Sequence, residues 1–190
     1  MKQLTGIVLA GGKSSRFESP KYLATLRGNS LIEIAVSKLR PLCQELIVVS
    51  KDVIDIAGFD NVIEKDREAH PLIGIKEGLK ASSSNNNLVL ACDMPFVSKK
   101  TIAALTKSQA EVYIYRYKGR FEPLLGLYKR SCIDKIENYK DKKIIDVLQN
   151  CDFDYIEAHE ECFDFFNINT KEDLIEAQKI AEENSNILGS

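Results

Sequence analysis

Three near-continuous apolar runs, Leu4–Ala10, Leu46–Val49 and Leu88–Cys92, constrain this chain most. A strand with no polar alternation is buried on both faces, the condition of a parallel sheet covered by helices. The stretches between the runs have helical spacing. Leu31, Ile32, Ile34, Ala35, Val36 and Leu39 form one stripe, closed by Pro41. Leu72, Ile73, Ile75 and Leu79 form another, with Pro71 suited to its first turn. Ser98 is placed to cap a further helix, and Thr170 with Asp173 to cap a last one running toward Glu183. Later strands are expected at Val112–Tyr117 and Leu124–Tyr128, with helices around Cys132–Tyr139 and Lys142–Gln149. Alternating strands and helices joined by right-handed crossovers give an α/β, doubly wound, mostly parallel sheet with helices on both faces. No linker or repeat divides the 190 residues, so a single domain over 1–190 is expected, with residues 184–190 a frayed tail.

Composition mainly excludes. Lys+Arg 26 against Asp+Glu 28 gives a net charge of −2, which offers no field for bulk nucleic acid or an anionic membrane. No run approaches the roughly 18 apolar residues of a membrane span, and no leader precedes the first strand, so a cytoplasmic location is expected. The five cysteines form no CxxC pair and read as reduced thiols. His159 and Cys162 are two ligands where structural zinc wants four.

Chemistry concentrates where strands end. The first run leads into Gly11-Gly12-Lys13-Ser14-Ser15-Arg16, followed by Pro20-Lys21. Paired glycines let backbone amides approach a phosphate, and Ser14, Lys13, Arg16 and Lys21 add donors and charge, a density suited to a polyanion. The loop is neither a Walker A motif nor a GxGxxG fingerprint. Asp93 directly follows the third run, and Pro95 keeps Met94 extended, so its carboxylate would face the same sheet edge. A carboxylate opposite bound phosphate calls for a cation between them, and Mg²⁺ is the usual one. Asp66 after Val62-Ile63 is placed to touch a ribose or base, or to sit in a surface loop. His70 and His159 are the only histidines, and neither completes a nucleophilic triad. Arg116, Lys118 and Arg120 suit either an anionic ligand or a solvated hairpin.

Leu9-Ala10-Gly11-Gly12-x-Ser14-x-Arg16 with Lys21 resembles the signature of molybdenum cofactor guanylyltransferases. Pro71-Leu72-x-Gly74-Ile75, Cys92-Asp93-Met94-Pro95 and Phe166-Asn167-Ile168-Asn169-Thr170 follow in that family's order. Pro123-Leu124-x-Gly126-Leu127-Tyr128 is similar to its substrate-side strand. The resemblance implies a Rossmann-like, glycosyltransferase-A-like nucleotidyltransferase fold. It also implies transfer of GMP from GTP to molybdopterin with release of pyrophosphate, Mg²⁺ as cofactor, and molybdoenzymes or cofactor-delivery proteins downstream. Residue by residue, it implies that Leu9, Ala10, Gly11, Gly12, Ser14, Lys21, Asp66 and Asp93 bind the nucleotide. Lys21, Arg16 and Asp93 would act in catalysis, Asp93 would hold the metal, and Asn167 and Asn169 would meet the acceptor. The chain departs from the pattern at Glu18, Ser50 and His70, where the family often has glycine, asparagine and glycine. Two rivals accompany this reading: a CTP-dependent molybdopterin or sugar-phosphate nucleotidyltransferase, and a non-catalytic nucleotide-binding regulatory protein.

Overall fold

The computed structural model describes residues 3–11, 17, 19–54, 58–64, 70–137, 143–158, 162–184 and 186–189. In chain order the larger elements are β1 (Leu4–Leu9), β2 (Thr25–Leu26), β3 (Asn29–Ser30), α1 (Leu31–Leu39), β4 (Glu45–Ser50), β5 (Asp60–Ile63), α2 (Pro71–Ala81) and β6 (Asn86–Ala91). They continue with α3 (Lys99–Leu105), β7 (Val112–Tyr117), β8 (Arg120–Lys129), α4 (Ile133–Ile136), α5 (Ile144–Leu148), β9 (Phe153–Glu157) and α6 (Lys171–Glu183).

Seven strands form one sheet in the order β5-β4-β1-β6-β8-β7-β9. β5, β4, β1 and β6 pair in parallel, and β9 is parallel to β7. Only β8 runs against its neighbours, β6 and β7. The mostly parallel α/β sheet expected from the apolar runs is therefore present, and the alternation of neighbours about β1 is the doubly wound pattern. The three runs are its three central parallel strands. Ile7, Val8, Ile47, Val48, Val89 and Leu90 are all essentially inaccessible.

Two apolar layers cover the sheet. On one face α1 and α3 contribute Ile32, Leu39, Ile102 and Leu105, against Val8, Val48 and Leu90. On the other, α2, α4 and α5 contribute Ile75, Leu79, Ile136 and Val147, against Ile7, Ile47 and Val89. Helix starts follow their sequence cues. Ser30 and Glu33 form a capping box on α1, Pro71 occupies the first turn of α2, Ser98 caps α3, and Thr170 with Asp173 boxes α6.

The expected frayed tail is instead docked at residues 186–189. Ile187 and Leu188 pack against a third cluster built from Leu31, Phe96, Ile180 and Ala181. Lys38 Nζ donates to the Leu188 carbonyl at 3.4 Å, and Lys99 Nζ to that of Gly189 at 2.8 Å. The two apolar residues supply burial that the polar residues around them concealed. No helix among the described residues is long and apolar enough to cross a membrane.

Candidate active site

In a parallel sheet the strand ends that share an edge bring distant segments together, and here they define one cleft. β1 ends at Leu9 and runs on to Gly11, β4 to Lys51, β5 to Glu64, and β6 to Cys92 and Asp93. Leu124 of the opposed β8 returns at the same edge. The cleft between them is about 370 Å³, within the range of small-molecule sites, with His70, Pro71 and Gly74 of α2 on one wall.

The edge is held by main-chain bonds. Ala10 N donates to Val49 O at 2.8 Å, and Cys92 N to Leu9 O at 3.1 Å. Asp93 follows directly, and its carbonyl accepts from Ile168 N at 2.9 Å. The carboxylate of Asp93 is divided in function. Oδ2 accepts from Lys21 Nζ at 2.6 Å, each side chain being 17% exposed. Oδ1 is buried with no hydrogen-bond partner. A shielded carboxylate oxygen with spare lone pairs is the hard donor that Mg²⁺ takes, so the residue fits the cation that the sequence suggested.

A second carboxylate approaches. Glu122 of β8 lies near enough to Asp93 to feel its charge. Burial raises the pKa of Glu122, Arg120 opposes this, and the negative charge of Asp93 adds to the rise. The neighbouring Cys92 thiol is pushed up to about 12, chiefly by burial, and stays neutral and unreactive.

Leu9, Gly11 and Asp93 line the cleft, and Lys21 is bound to Asp93. Ala10 turns into the core beside Val48 and Ala91, leaving its main chain at the edge. Gly12, Lys13, Ser14, Arg16, Glu18, Asp66 and His159 lie outside the described residues. Asn167 Nδ2 donates to the Phe165 carbonyl at 3.1 Å and lines an aromatic recess of about 470 Å³ with Tyr117, Phe163 and Phe166. Asn169 is exposed, its N–H donating to Asp173 Oδ2 at 2.7 Å. Burial works to raise the pKa of the Asp173 carboxyl, but the Asn169 and Thr170 amides that donate to it hold it below its ordinary range, and the Lys21 charge assists. The segment carrying both asparagines is thus tied to Asp93 through Ile168.

At the departures from the family pattern, Ser50 is fully buried, donating to the Asp52 carbonyl at 2.6 Å and accepting from Asn61 at 2.9 Å. It has a structural post away from the cleft lining. His70 caps α2, its Nδ1 accepting from Leu72 N at 3.3 Å, and it does line the cleft. Arg116 pairs with Glu157 at 2.8 Å and lies over Tyr155. Lys118 and Gly119 have φ of 48° and 75° and make the two-residue turn between β7 and β8, so the solvated-hairpin reading fits these positions. Glu64 and Glu122 were not singled out in the sequence. The only local signal for Glu64 was its place just after a short apolar pair.

A protein of Geobacillus sp. (strain WCH70), named "Probable molybdenum cofactor guanylyltransferase", is 33% identical over 186 residues, covering 90% of this chain and 95% of that one. A protein of the same name from Natranaerobius thermophilus is 31% identical over 195 residues, covering 93% and 95%. The crystal structure of molybdopterin-guanine dinucleotide biosynthesis protein A from Archaeoglobus fulgidus superposes with a TM-score of 0.80 at 26% identity, covering 94% and 99%. A nucleotidyl transferase from Methanothermobacter shares the fold, with a TM-score of 0.79 at 18% identity. Residues 6–158 match the model of the MobA-like NTP transferase domain, which takes in the glycine loop, the Lys21–Asp93 pair and the opposed strand. The chain belongs to the MobA-like NTP transferase family.

Proposed function

We propose that the protein transfers GMP from GTP to molybdopterin. An oxygen of the acceptor's terminal phosphate bonds to the α-phosphorus, the bond from that phosphorus to the oxygen bridging to the β-phosphate breaks, and pyrophosphate leaves. The names of the curated relatives and of the Archaeoglobus structure support this choice of substrates. The observation that carries it is the Lys21–Asp93 pair beside the β1 strand end, with Asp93 Oδ1 buried and unpartnered in the same cleft.

The acceptor oxygen is already anionic, so no strong general base is required; the His70 imidazole caps α2 and the Cys92 thiol is buried and neutral. Rate enhancement then comes from positioning the attacking oxygen in line and from fixed positive charge facing the triphosphate. Lys21 supplies such a charge, held in place by Asp93. Glycine at position 11 keeps that part of the cleft lining free of a side chain. Asp93 would hold Mg²⁺ through Oδ1, and the bound ion would offset charge building on the phosphate oxygens. Asn167 and Asn169, next to Asp93 through Ile168, stand where an acceptor would approach.

The test is pyrophosphate release from GTP, CTP, UTP and ATP with Mg²⁺ and molybdopterin. Release with GTP in the presence of acceptor is the expected result. Tight nucleotide binding with no release would instead show a nucleotide-binding regulator.

A further inference from the structure

At the sheet edge opposite the cleft, β8 ends while β7 and β9 begin. Glu111 organises this corner. Its carbonyl accepts from Lys129 N at 2.8 Å, and its N–H donates to the Asp152 carbonyl at 2.8 Å. Its carboxylate accepts from Ser131 Oγ at 2.7 Å on Oε1 and from Asp152 N at 2.9 Å on Oε2. Ser131 precedes Cys132 and Asp152 follows Cys151, so one carboxylate holds both cysteine-bearing turns together. The two thiols meet there, hydrogen-bonded to each other. Both side chains belong to the apolar layer that contains Ile136, Val147 and Leu148. Thiols already in contact have little distance to close before an S–S bond forms.

The two sulfurs differ in their surroundings. Cys132 is fully buried, and its S–H has two acceptors in reach, the Lys129 carbonyl at 2.9 Å and the Cys151 sulfur. Cys151 is 9% exposed, with the Lys135 amine, itself paired with Glu111, close enough to act on it. The Cys132 S–H foremost, and then the Lys135 charge, hold the Cys151 thiol below its ordinary range against burial and the Glu111 charge. Burial pushes the thiols of Cys43 and Cys92 up to about 12 instead. The thiolate is the reactive form, which makes Cys151 the nucleophile and Cys132 the thiol that resolves it. We propose that Cys132 and Cys151 are a redox site, which a small peroxide oxidises to a disulfide. The Cys151 thiolate attacks one peroxide oxygen and the O–O bond breaks. Hydroxide leaves and takes up the proton that Cys151 gave up on ionising, and Cys151 is now a sulfenic acid. The Cys132 sulfur then attacks the Cys151 sulfur, the S–O bond breaks, and the hydroxyl departs as water with the Cys132 proton. The thiols give up two electrons and two protons, and hydrogen peroxide becomes two waters. The new bond closes the stretch that carries α4 and α5, so the unfolded chain loses freedom.

The test treats the full, reduced chain with hydrogen peroxide, alkylates it in denaturant and maps linked peptides by mass spectrometry. The folded protein is expected to lose two of its five thiols, with Cys132 joined to Cys151, and a dithiol reductant to restore them. The urea midpoint of the oxidised form should rise. Cys132→Ala should stop at a sulfenic acid on Cys151, trapped by a cyclic diketone, and Cys151→Ala should keep Cys132 as a thiol. Thermal unfolding checks that both variants are folded, and the wild-type peptide map decides the matter if either is not. Survival of all five thiols, or linkage of any other pair in the folded chain, would overturn the inference. So would trapping of the sulfenic acid at Cys132, and a lower urea midpoint after oxidation would remove the staple.

Discussion

Asp93 spends one oxygen on Lys21 and keeps the other shielded and unpartnered, an arrangement that costs stability unless something binds there. Asp93→Asn removes the charge while keeping the shape. Pyrophosphate release with Mg²⁺ and GTP is expected to fall by about 10²-fold or more, while near wild-type turnover would sink the metal assignment. Lys21→Ala should lose its rate chiefly in the chemical step. Single-turnover measurements at saturating GTP check this, and an unchanged rate there would show that Lys21 contributes binding only. Gly11, Lys21 and Asp93 were legible from the sequence because each stands beside a local marker, a strand end or a paired glycine. Glu64 and Glu122 were not, because their significance comes from neighbours across the sheet. Position 64 matters through Gly11 and Gly74, which leave room for its carboxylate, and position 122 through the nearby charge of Asp93. Arg116 was legible only as a choice between two readings, and Glu157 on the adjacent strand, invisible to local pattern, is what engages it.

Among the elements, α2 packs so closely on β1 that a Cβ on Gly78 would lie 2.6 Å from Ile7 Cγ2. Glycine to alanine within an exposed helix gains about 1 kcal/mol, but here the clash should reverse the sign. Gly78→Ala is expected to lose roughly 1–3 kcal/mol in urea unfolding, and a gain would mean that the layer can yield. Glu111 ties together the start of β7, the end of β8 and the β9 approach. Its carboxylate accepts from Lys135, Asp152 N and Ser131, and its carbonyl from Lys129 N. Those bonds, with Lys135 foremost, hold its pKa down to about 2 from the usual 4.5. A depressed carboxylate stabilises the fold above its unfolded pKa and loses that contribution as pH falls through the folded one. Glu111→Gln should therefore flatten the wild type's stability loss between about pH 4.5 and 2, as read by denaturation at stepped acidity. The central strands and capped helices were legible because periodicity and caps are local. β9 was not: at the sheet margin its burial is only partial, and its Phe153 and Tyr155 pack on Phe121 of another strand. The β2–β3 hairpin, two residues a side, is too short for any periodicity.

For the whole molecule, Lys38 is the conspicuous anomaly, a fully buried cation under the docked tail. Burial lowers its pKa to about 8 from 10.5, with the Lys99 charge adding to the fall and Asp164 partly opposing it. The unfolded chain therefore binds a proton more readily than the folded one, so the penalty is fully present below pH 8 and fades as pH rises toward 10.5. Lys38→Met should be more stable at neutral pH by up to about 3 kcal/mol, with the advantage shrinking on titration to pH 10. Denaturant midpoints at the two pH values check it, and a pH-independent difference would locate the effect in packing. The bond from Ile168 N to the Asp93 carbonyl bears on how the protein comes into being. A ribosome releases the glycine-rich segment and Asp93 well before the segment that braces Asp93. The central parallel strands can therefore be paired during synthesis before the stretch that braces Asp93 has been made.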